Sequence, residues 1–458
     1  MTNERPVHVL AAAPLRRLII SSIVVLAGVA TAVSMTFAPI VTAQSVSLRA
    51  LADDAGLALG AAVDADALSD ESYRELLTEH VTLVSTSGDL SMATVQPERG
   101  VFDFTRAEAI VDFAVENGLT VRGHELIGGD VPGWVRDGDW TPETLSEVLR
   151  DHVTAVVGHF RERNPGVITQ WDVVGEAFLP DGTLRPTVWQ QIIGDDHLRT
   201  AFAAADAADP EALLFYDDFY DDLAVTQDAV AAGVPIVPGA NASRSTCELV
   251  PKCVGVRDRT AALVAADTPI DGIGFQSHLF SPDPADFSEL SAWVTDLGLQ
   301  WGVTEFDVPL PVTEIDSAEA LEFQATVYAD ALTACADAPD CTSFVTWGIS
   351  DRFSPIPAET GGAFGGALWF DADDEPKPAF AAMADALADR ATPATPTTST
   401  ASVAGRSSTS PQDTTSGNGD GGGDSVLMVV GLGGLAVVAT LVVVARRRRG
   451  GHVASSDS

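Results

Sequence analysis

The sequence predicts an α/β fold in which eight parallel strands and their connecting helices close into a (β/α)8 barrel. Eight short apolar runs of strand-like composition recur between residues 58 and 347, and helix-like segments separate them. Alternating strands and helices favour a parallel sheet, and eight such units in one domain favour closure into a barrel. The predicted strands are Ala58–Val63, His80–Ser85, Thr120–Ile127, Val167–Val174, Ala212–Tyr216, Gly272–Ser277, Gln300–Glu305 and Ser343–Trp347.

Helical periodicity is clearest in Arg106–Asn117 and Thr144–Arg163. In the first segment four apolar residues fall on one face, and Gly118 follows as a stop signal. The weakest stretch is Pro235–Gly255, which holds two cysteines and is predicted to be a loop insertion before the sixth strand. The folded domain is therefore expected to span residues 47–390, a length typical of a decorated barrel.

The N-terminal region, residues 1–46, has the features of an export signal. Arg16 and Arg17 precede an apolar run from Leu18 to about Val41, and the pattern Val-Thr-Ala ending at Ala43 resembles a cleavage site. The run is longer than most signal-peptide cores, so residues 1–46 are predicted to be either a signal peptide or an N-terminal anchor.

The C-terminal region predicts a stalk and a membrane anchor. Residues 391–424 are rich in Thr, Ser, Pro and Gly, a composition that favours an extended linker. Within residues 425–458, the segment Val426–Ala445 contains 20 residues without a charge. As a helix it would span about 30 Å. The basic run Arg446–Arg449 follows and favours the cytoplasmic side, so we expect a single-pass membrane protein with its barrel outside the cell.

The composition limits which classes of molecule this chain is expected to bind. The formal net charge is −39, from 65 acidic and 26 basic residues, and such a surface repels phosphate backbones. We therefore expect no nucleic-acid partner, whereas a neutral polysaccharide is compatible with this charge. No dinucleotide fingerprint or zinc motif is present in the sequence, so no cofactor and no metal are expected. We also expect a monomer.

The four cysteines agree with export. Five residues separate Cys247 from Cys253, and five separate Cys335 from Cys341. Three connectivities are possible, and the two local pairings, Cys247–Cys253 and Cys335–Cys341, are the simplest prediction. Metal binding is the alternative, but no Cys-x-x-Cys motif or histidine cluster supports it.

Polar residues stand where the predicted strands end, and in a (β/α)8 barrel chemistry occurs at the carboxyl ends of the strands. Two glutamates, Glu176 and Glu305, close apolar strands. Glycosidic cleavage requires one carboxyl group to protonate the leaving oxygen and another to attack the anomeric carbon or activate water. The pairs Asp217-Asp218 and Asp221-Asp222 could bind calcium, although a solvated acidic loop is the favoured interpretation. Other polar strand-end residues are Asp64, His124, Asp172, Gln276, His278, Asp307, Trp347 and Asp351.

An ordered set of segments resembles the glycoside hydrolase family 10 endo-β-1,4-xylanases, from Leu48 to Met383. The matching segments are Gly60-Ala61-Ala62-Val63-Asp64, Val121-Arg122-Gly123-His124, Pro132-Gly133-Trp134-Val135, Trp171-Asp172-Val173-Val174-x-Glu176-Ala177, Asp271 to Leu279, Thr304-Glu305-Phe306-Asp307, Trp347 to Asp351 and Lys377-Pro378-Ala379-Phe380. Each segment alone is weak, but their order and spacing follow the family. The resemblance implies a TIM barrel that cleaves β-1,4-linked, xylan-like polysaccharide.

The resemblance also implies roles for individual residues. Glu176 would be the general acid/base and Glu305 the nucleophile, with His278 hydrogen-bonded to the nucleophile and Trp347 lining the subsite beside the scissile bond. His124, Gln276 and Asp307 are expected to bind substrate or support the site. Retention of configuration follows if the two carboxyl groups lie about 5–5.5 Å apart. Glu176 must be protonated when it donates, so burial near Phe178 and the charge of Glu305 are expected to raise its pKa. Many members of the family carry a disulfide at the position of Cys335 and Cys341.

The chain departs from the family along the wall that binds the sugars on the non-reducing side. The residue before the acid/base is usually Asn, which bonds the sugar 2-hydroxyl, and here it is Gly175. Three interpretations follow: a xylanase of low activity, a hydrolase of a different glycan, or a non-catalytic cell-surface glycan-binding protein. The other departures are Ser87, Gly88 and Ser91 in place of a Glu-Asn pair and a Lys, Gly128-Gly129 in place of Trp-His, and Pro355 in place of Trp.

Overall fold

The computed structural model describes residues 46–219, 247–279 and 287–391. The predicted signal or anchor, the linker and the segment Val426–Ala445 lie outside these residues and stay predictions. Within the described ranges, no helix combines the length and the apolar character that crossing a bilayer requires.

Eight parallel strands close a barrel, which confirms the predicted TIM-barrel fold. Their order around the barrel follows the chain, and the first strand pairs with the last barrel strand. Two further short strands, β8 and β10, form an antiparallel pair outside it. The strands are β1 (Ala58–Ala62), β2 (Leu83–Ser85), β3 (Thr120–Gly123), β4 (Ile168–Gly175), β5 (Leu213–Phe219), β6 (Gly272–Gln276), β7 (Gln300–Phe306), β8 (Leu310–Pro311), β9 (Cys341–Thr346) and β10 (Phe364–Gly365).

Helices connect these strands. The described helices are α1 (Leu48–Ala55), α2 (Glu71–His80), α3 (Met92–Val95), α4 (Thr105–Asn117), α5 (Gly133–Arg136), α6 (Pro142–Arg163), α7 (Val188–Ile193), α8 (Asp196–Ala208), α9 (Pro251–Ala265), α10 (Phe287–Asp296), α11 (Ala318–Asp337), α12 (Ile356–Glu359) and α13 (Pro378–Ala391). Four single 3-10 turns complete the described elements, at Ala67–Ser69, Ser87–Leu90, Cys247–Leu249 and Asp351–Phe353.

The local sequence explains where the two clearest helices begin and end. The side chain of Thr141 caps α6 by accepting from the backbone N–H of Thr144, and Pro142 occupies the first turn, where its missing N–H costs nothing. Helix α4 ends at Gly118, whose φ of 64° is left-handed and therefore suits glycine. Both predicted helices are thus confirmed, each extended by one or two residues at its start.

Four predicted boundaries were wrong by three residues or more, and the other strand ends differ from the prediction by at most two. His80 is not the start of a strand but the last residue of α2, because Tyr73, Leu77 and His80 share one buried helical face. The third strand ends at Gly123 rather than Ile127, and the fifth continues to Phe219 rather than ending at Tyr216. In the predicted loop Pro235–Gly255, residues from Pro251 onward form the first turns of α9; residues 235–246 lie outside the described ranges.

Both predicted disulfides are confirmed. Cys247–Cys253 joins a 3-10 turn to the first turns of α9, and Cys335–Cys341 joins the end of α11 to the start of β9. All four cysteines are therefore oxidised, which removes the metal-binding alternative for them. Each bridge closes a short local loop and leaves the barrel strands to be held by their own hydrogen bonds and packing.

Candidate active site

The seven predicted site residues lie at the carboxyl ends of the barrel strands. Parallel strands present these ends on the same face of the barrel, so residues far apart in the chain meet there. His124 follows β3, Glu176 follows β4, Gln276 ends β6 with His278 two residues later, Glu305 lies near the end of β7 with Asp307 just after it, and Trp347 follows β9.

Glu305 is held between two histidines. Nε2 of His278 lies 3.0 Å from Oε2 of Glu305, and Nε2 of His124 lies 3.4 Å from Oε1. The Glu305 side chain is buried, with 7% of its surface exposed. Both carboxylate oxygens therefore face a nitrogen, which fixes the orientation of the group.

His278 also contacts a second carboxylate. Its Nδ1 lies 2.9 Å from Oδ2 of Asp307, so the ring bridges Asp307 and Glu305. Burial alone would lower the pKa of His278, but the carboxylates of Asp307 and Glu305 raise it well above its ordinary value. A protonated ring donates from both nitrogens, so His278 supplies positive charge to the buried Glu305.

His124 belongs to a second buried network. Its Nδ1 lies 3.1 Å from Oδ2 of Asp172, and Nε of Arg122 donates to the same oxygen at 2.8 Å. A terminal guanidinium nitrogen of Arg122 contacts Oδ1, so Arg122 hydrogen-bonds both oxygens of the Asp172 carboxylate. Both side chains are fully buried. Burial would raise the pKa of Asp172, but Arg122 and His124 lower it below the ordinary value. Asp172 is therefore an ionised carboxylate that orients His124 toward Glu305.

Asp217 fills the interior between these networks. Its Oδ2 accepts from Nε2 of Gln276 at 3.0 Å, and its Oδ1 accepts from the hydroxyl of Thr304 at 2.7 Å. Gly274 leaves room for it, since a Cβ atom there would lie 1.9 Å from Oδ1. Burial raises the pKa of Asp217 well above its ordinary value, and the charges of Asp172 and Glu305 raise it further. Gln276 thus supports the site through Asp217.

The neighbouring Asp218 is also fully buried, so the predicted solvated acidic loop was wrong for Asp217-Asp218, while Asp221-Asp222 lies outside the described residues. Nζ of Lys252, from α9, lies 2.5 Å from Oδ1 of Asp218, and the hydroxyl of Tyr216 contacts Oδ2. Lys252 was missed in the sequence analysis because a single lysine next to a cysteine gives no signal of burial. The ion pair explains how a second acid can lie inside the barrel beside the first.

Glu176 turns away from the strand into the groove. Its φ is 48°, and its backbone N–H donates to the carbonyl of Asp217 at 2.9 Å. The side chain is 45% exposed, and Nη2 of Arg185 lies 3.9 Å from Oε2. Burial raises the pKa of Glu176, and the charges of Asp218 and Glu305 raise it further, while Lys252 and Arg185 oppose them. The predicted rise is confirmed in direction, with Asp218 as a contributor that sequence reasoning missed.

Trp347 provides an aromatic surface beside both histidines. Its ring meets those of His124 and His278 edge to face, with centroid distances of 5.6 and 5.9 Å. It also lines a cavity of about 330 Å³ that extends toward β1 and β2. Other residues lining this cavity are Asp64, Tyr73, Ser87, Phe353 and Pro355. A flat apolar ring next to such a cavity suits the face of a sugar.

One cluster of donor atoms has spacing that a metal ion could use. Single atoms of His124, Asp217 and Glu305 all lie within 4.8 Å of one another. In this structure each of the three side chains is engaged in hydrogen bonds or ion pairs with protein groups, as described above. The three side chains therefore belong to one hydrogen-bonded network.

Comparisons with known proteins agree on one family. The family model described as glycosyl hydrolase family 10 matches residues 47–235 and 246–386. Endo-1,4-beta-xylanase B of Thermotoga neapolitana is 31% identical over 353 residues, which cover 76% of this chain and 93% of that protein. Endo-1,4-beta-xylanase A of Humicola insolens is 32% identical over 302 residues, which cover 65% of this chain and 71% of that protein.

Solved structures give the same result. The crystal structure of native xylanase 10B from Thermotoga maritima superposes with a TM-score of 0.65 at 33% identity, covering 76% of this chain and 99% of that one. Xylanase 10B from Thermotoga petrophila RKU-1, solved in complex with xylobiose, gives a TM-score of 0.65 at 32% identity with the same coverage. The ranges that the family model matches, residues 47–235 and 246–386, contain every site residue described above.

Proposed function

Because the chain belongs to glycosyl hydrolase family 10 and is therefore a glycoside hydrolase, we propose that it cleaves the β-1,4 linkages of a xylan-like polysaccharide with retention of configuration. The observation that carries this proposal is the contrast between two glutamates at one barrel face. Two histidines face the two carboxylate oxygens of Glu305, while burial and neighbouring acids raise the pKa of Glu176. A double displacement needs a nucleophile held in one orientation and an acid that keeps its proton.

In the first step Glu305 is the nucleophile. Its carboxylate attacks the anomeric carbon and forms a glycosyl ester, while Glu176 gives its proton to the glycosidic oxygen and the carbon–oxygen bond breaks. The part of the polymer on the reducing side leaves as an alcohol. His278 and His124 hold Glu305 in the attacking orientation, and Asp307 and Asp172 hold the two histidines.

In the second step Glu176 acts as the base. It is now a carboxylate, and it takes a proton from a water molecule that attacks the anomeric carbon. The ester bond breaks, Glu305 returns to its carboxylate form, and the new hemiacetal has the configuration of the original linkage. The partial exposure of Glu176 supports this role, because the group must reach both the leaving oxygen and incoming water.

The location of the enzyme is part of the proposal and rests on sequence alone. The uncharged segment Val426–Ala445 and the four arginines after it would anchor the chain, with the barrel outside the cell. The linker of residues 391–424 would let the barrel reach an external polymer. Accessibility of the barrel to added protease on intact cells tests this topology, and protection of the barrel would contradict it.

The test of function is hydrolysis of a polysaccharide panel by the full-length chain. We expect release of oligosaccharides from xylan, and proton NMR of the first product should show the β anomer before mutarotation. Glu305→Ala should abolish turnover, since no nucleophile remains. Activity that persists in Glu305→Ala, or a first product in the α configuration, would overturn the assignment.

A non-catalytic glycan-binding protein is the second candidate. It is favoured by Gly175, which stands where the family usually has the Asn that bonds the sugar 2-hydroxyl, because that contact strengthens in the transition state and its loss reduces turnover more than binding. Binding of xylo-oligosaccharides by the wild-type chain without any turnover would establish this candidate in place of the hydrolase.

A further inference from the structure

Glu125 extends its side chain from the loop after β3 to the end of β4. A Cβ atom at Gly175 would lie 1.5 Å from its Oε2, and a Cβ atom at Gly128 would lie 1.5 Å from its Oε1. The Glu125 carboxyl group therefore packs against the backbone of both glycines, and any larger residue at either position would displace this carboxyl group. Gly175 is joined to Glu176, so this carboxyl group lies beside the proposed acid/base.

The Glu125 carboxyl group is electrostatically part of the site. Burial raises its pKa well above the ordinary value, and the charges of Glu176, Asp217 and Glu305 raise it further against the opposing effect of His124. The shift favours the protonated carboxyl, which can donate a hydrogen bond. The side chain is partly buried, and among the described residues none forms a hydrogen bond with its carboxyl oxygens.

The position of this group limits what it can contact on a bound sugar. In the proposed mechanism the anomeric carbon lies between Glu176 and Glu305, and the Glu125 carboxyl fills the space that a side chain at Gly175, the residue before Glu176, would occupy. The hydroxyl group next to the anomeric carbon is the one on C2. A group that lies directly beside the acid/base therefore reaches the 2-hydroxyl before any other hydroxyl of that ring.

We propose that Glu125 is a substrate-binding residue that hydrogen-bonds the 2-hydroxyl of the sugar whose bond is cleaved. This inference rests on the proposed function and specifies the substrate class: glycans with a free hydroxyl at C2. Hydrogen bonds at this position strengthen in the transition state, so the contact contributes to rate as well as to binding. A 2-acetamido group would meet the Glu125 carboxyl, which the two glycines hold in place, so 2-acetamido glycans are excluded.

The test compares two substrates that differ only at C2. kcat/KM is measured with 4-nitrophenyl β-xylobioside and with its analogue that lacks the 2-hydroxyl on the reacting ring. For the first substrate, Glu125→Ala should lower kcat/KM roughly tenfold to a hundredfold, the loss of one hydrogen bond to a partly charged transition state. For the second it should change little. Glu125→Gln, which can still donate, should recover most of the activity, and the exposed Glu116→Ala is the matched control.

Gly175→Ala provides a second variant that leaves Glu125 itself unchanged. Its methyl group must displace the carboxyl, so the same preference between the two substrates should be lost. Equal losses on both substrates, or no loss in Glu125→Ala, would overturn this inference while leaving the proposed function intact. Failure of the wild-type chain to hydrolyse either substrate would instead overturn the proposed function, and this inference with it.

Discussion

The fully buried pair of Arg122 and Asp172 gives a prediction whose size follows from the structure. Both side chains have no exposed surface, and Asp172 receives hydrogen bonds from Arg122 at both oxygens. Arg122→Met removes the cation and leaves Asp172 with only His124 as a charged partner. Breaking a fully buried ion pair in this way costs about 3–5 kcal/mol of folding free energy. For a domain of this size the midpoint of thermal unfolding should fall by roughly 4–7 °C.

A double-mutant cycle separates the pair from its surroundings. Asp172→Asn leaves Arg122 buried without its anion and should cost a similar amount. In the double variant no uncompensated charge remains, so its loss should be smaller than the sum of the single losses by at least about 2 kcal/mol. The assay is urea unfolding followed by tryptophan fluorescence, with Arg199→Met as a control at an exposed ion pair.

The pH dependence of this stability loss tests the direction of the pKa shift of Asp172. Arg122 and His124 hold the pKa of Asp172 below its ordinary value, so this stabilisation is complete above about pH 4 and is lost as the pH falls through the native pKa. The difference in stability between wild type and Arg122→Met should therefore shrink in acid. Additive single losses, or a difference that does not change between pH 7 and pH 3, would refute the reasoning.

Further predictions concern the chemistry and the covalent links. Glu176→Gln should lower kcat/KM much more for xylan than for aryl glycosides whose leaving group is an acidic phenol, because such a phenol leaves without a proton. Equal losses across a series of leaving groups would contradict the role of Glu176 as the acid. The raised pKa of Glu176 keeps this group protonated above the ordinary range, so activity should fall as the pH rises through the pKa of Glu176. Asp218→Asn removes a charge that raises this pKa, while the cation of Lys252 still lowers it, so the high-pH limb of kcat/KM should move to lower pH. A move to higher pH would contradict the assigned effects of Asp218 and Lys252. Dialysis against EDTA should leave kcat unchanged, since the proposed steps use carboxyl groups alone. Replacing both Cys335 and Cys341 by serine should cost about 2 kcal/mol of stability, as expected for so short a closed loop, with kcat unaltered.

The barrel could be predicted from the sequence because its pattern is local. Each strand is a short apolar run, and strict alternation with helices requires parallel pairing. The positions of Glu176 and Glu305 followed from the same pattern, since both stand where an apolar run ends. His80 was misassigned because the strand-like apolar residues Val81, Leu83 and Val84 follow it, and only the helical face shared with Tyr73 and Leu77 places it in α2.

The role of Glu125 could not be predicted, because it depends on two glycines that are 47 positions apart and meet at one carboxyl group. Nothing near Glu125 in the sequence distinguishes it from the end of an apolar strand. The burial of Asp218 was hidden for the same reason, since the lysine that neutralises it belongs to a helix 34 positions later. The pKa values in this site depend on burial and on distances between charges in the folded barrel, and the sequence gives only the identity of the titratable groups.

The pairing of β1 with β9 has a consequence for biosynthesis. Ala58 lies opposite Ser343, and Ala61 opposite Thr346. The edge of β1 that pairs with β9 therefore has no partner until the ribosome has translated a further 285 residues. At about 5–20 residues per second, this interval lasts roughly 15–60 s on the ribosome. Throughout it one edge of β1 has unpaired backbone groups, which makes the nascent chain a substrate for chaperones until its final strand emerges.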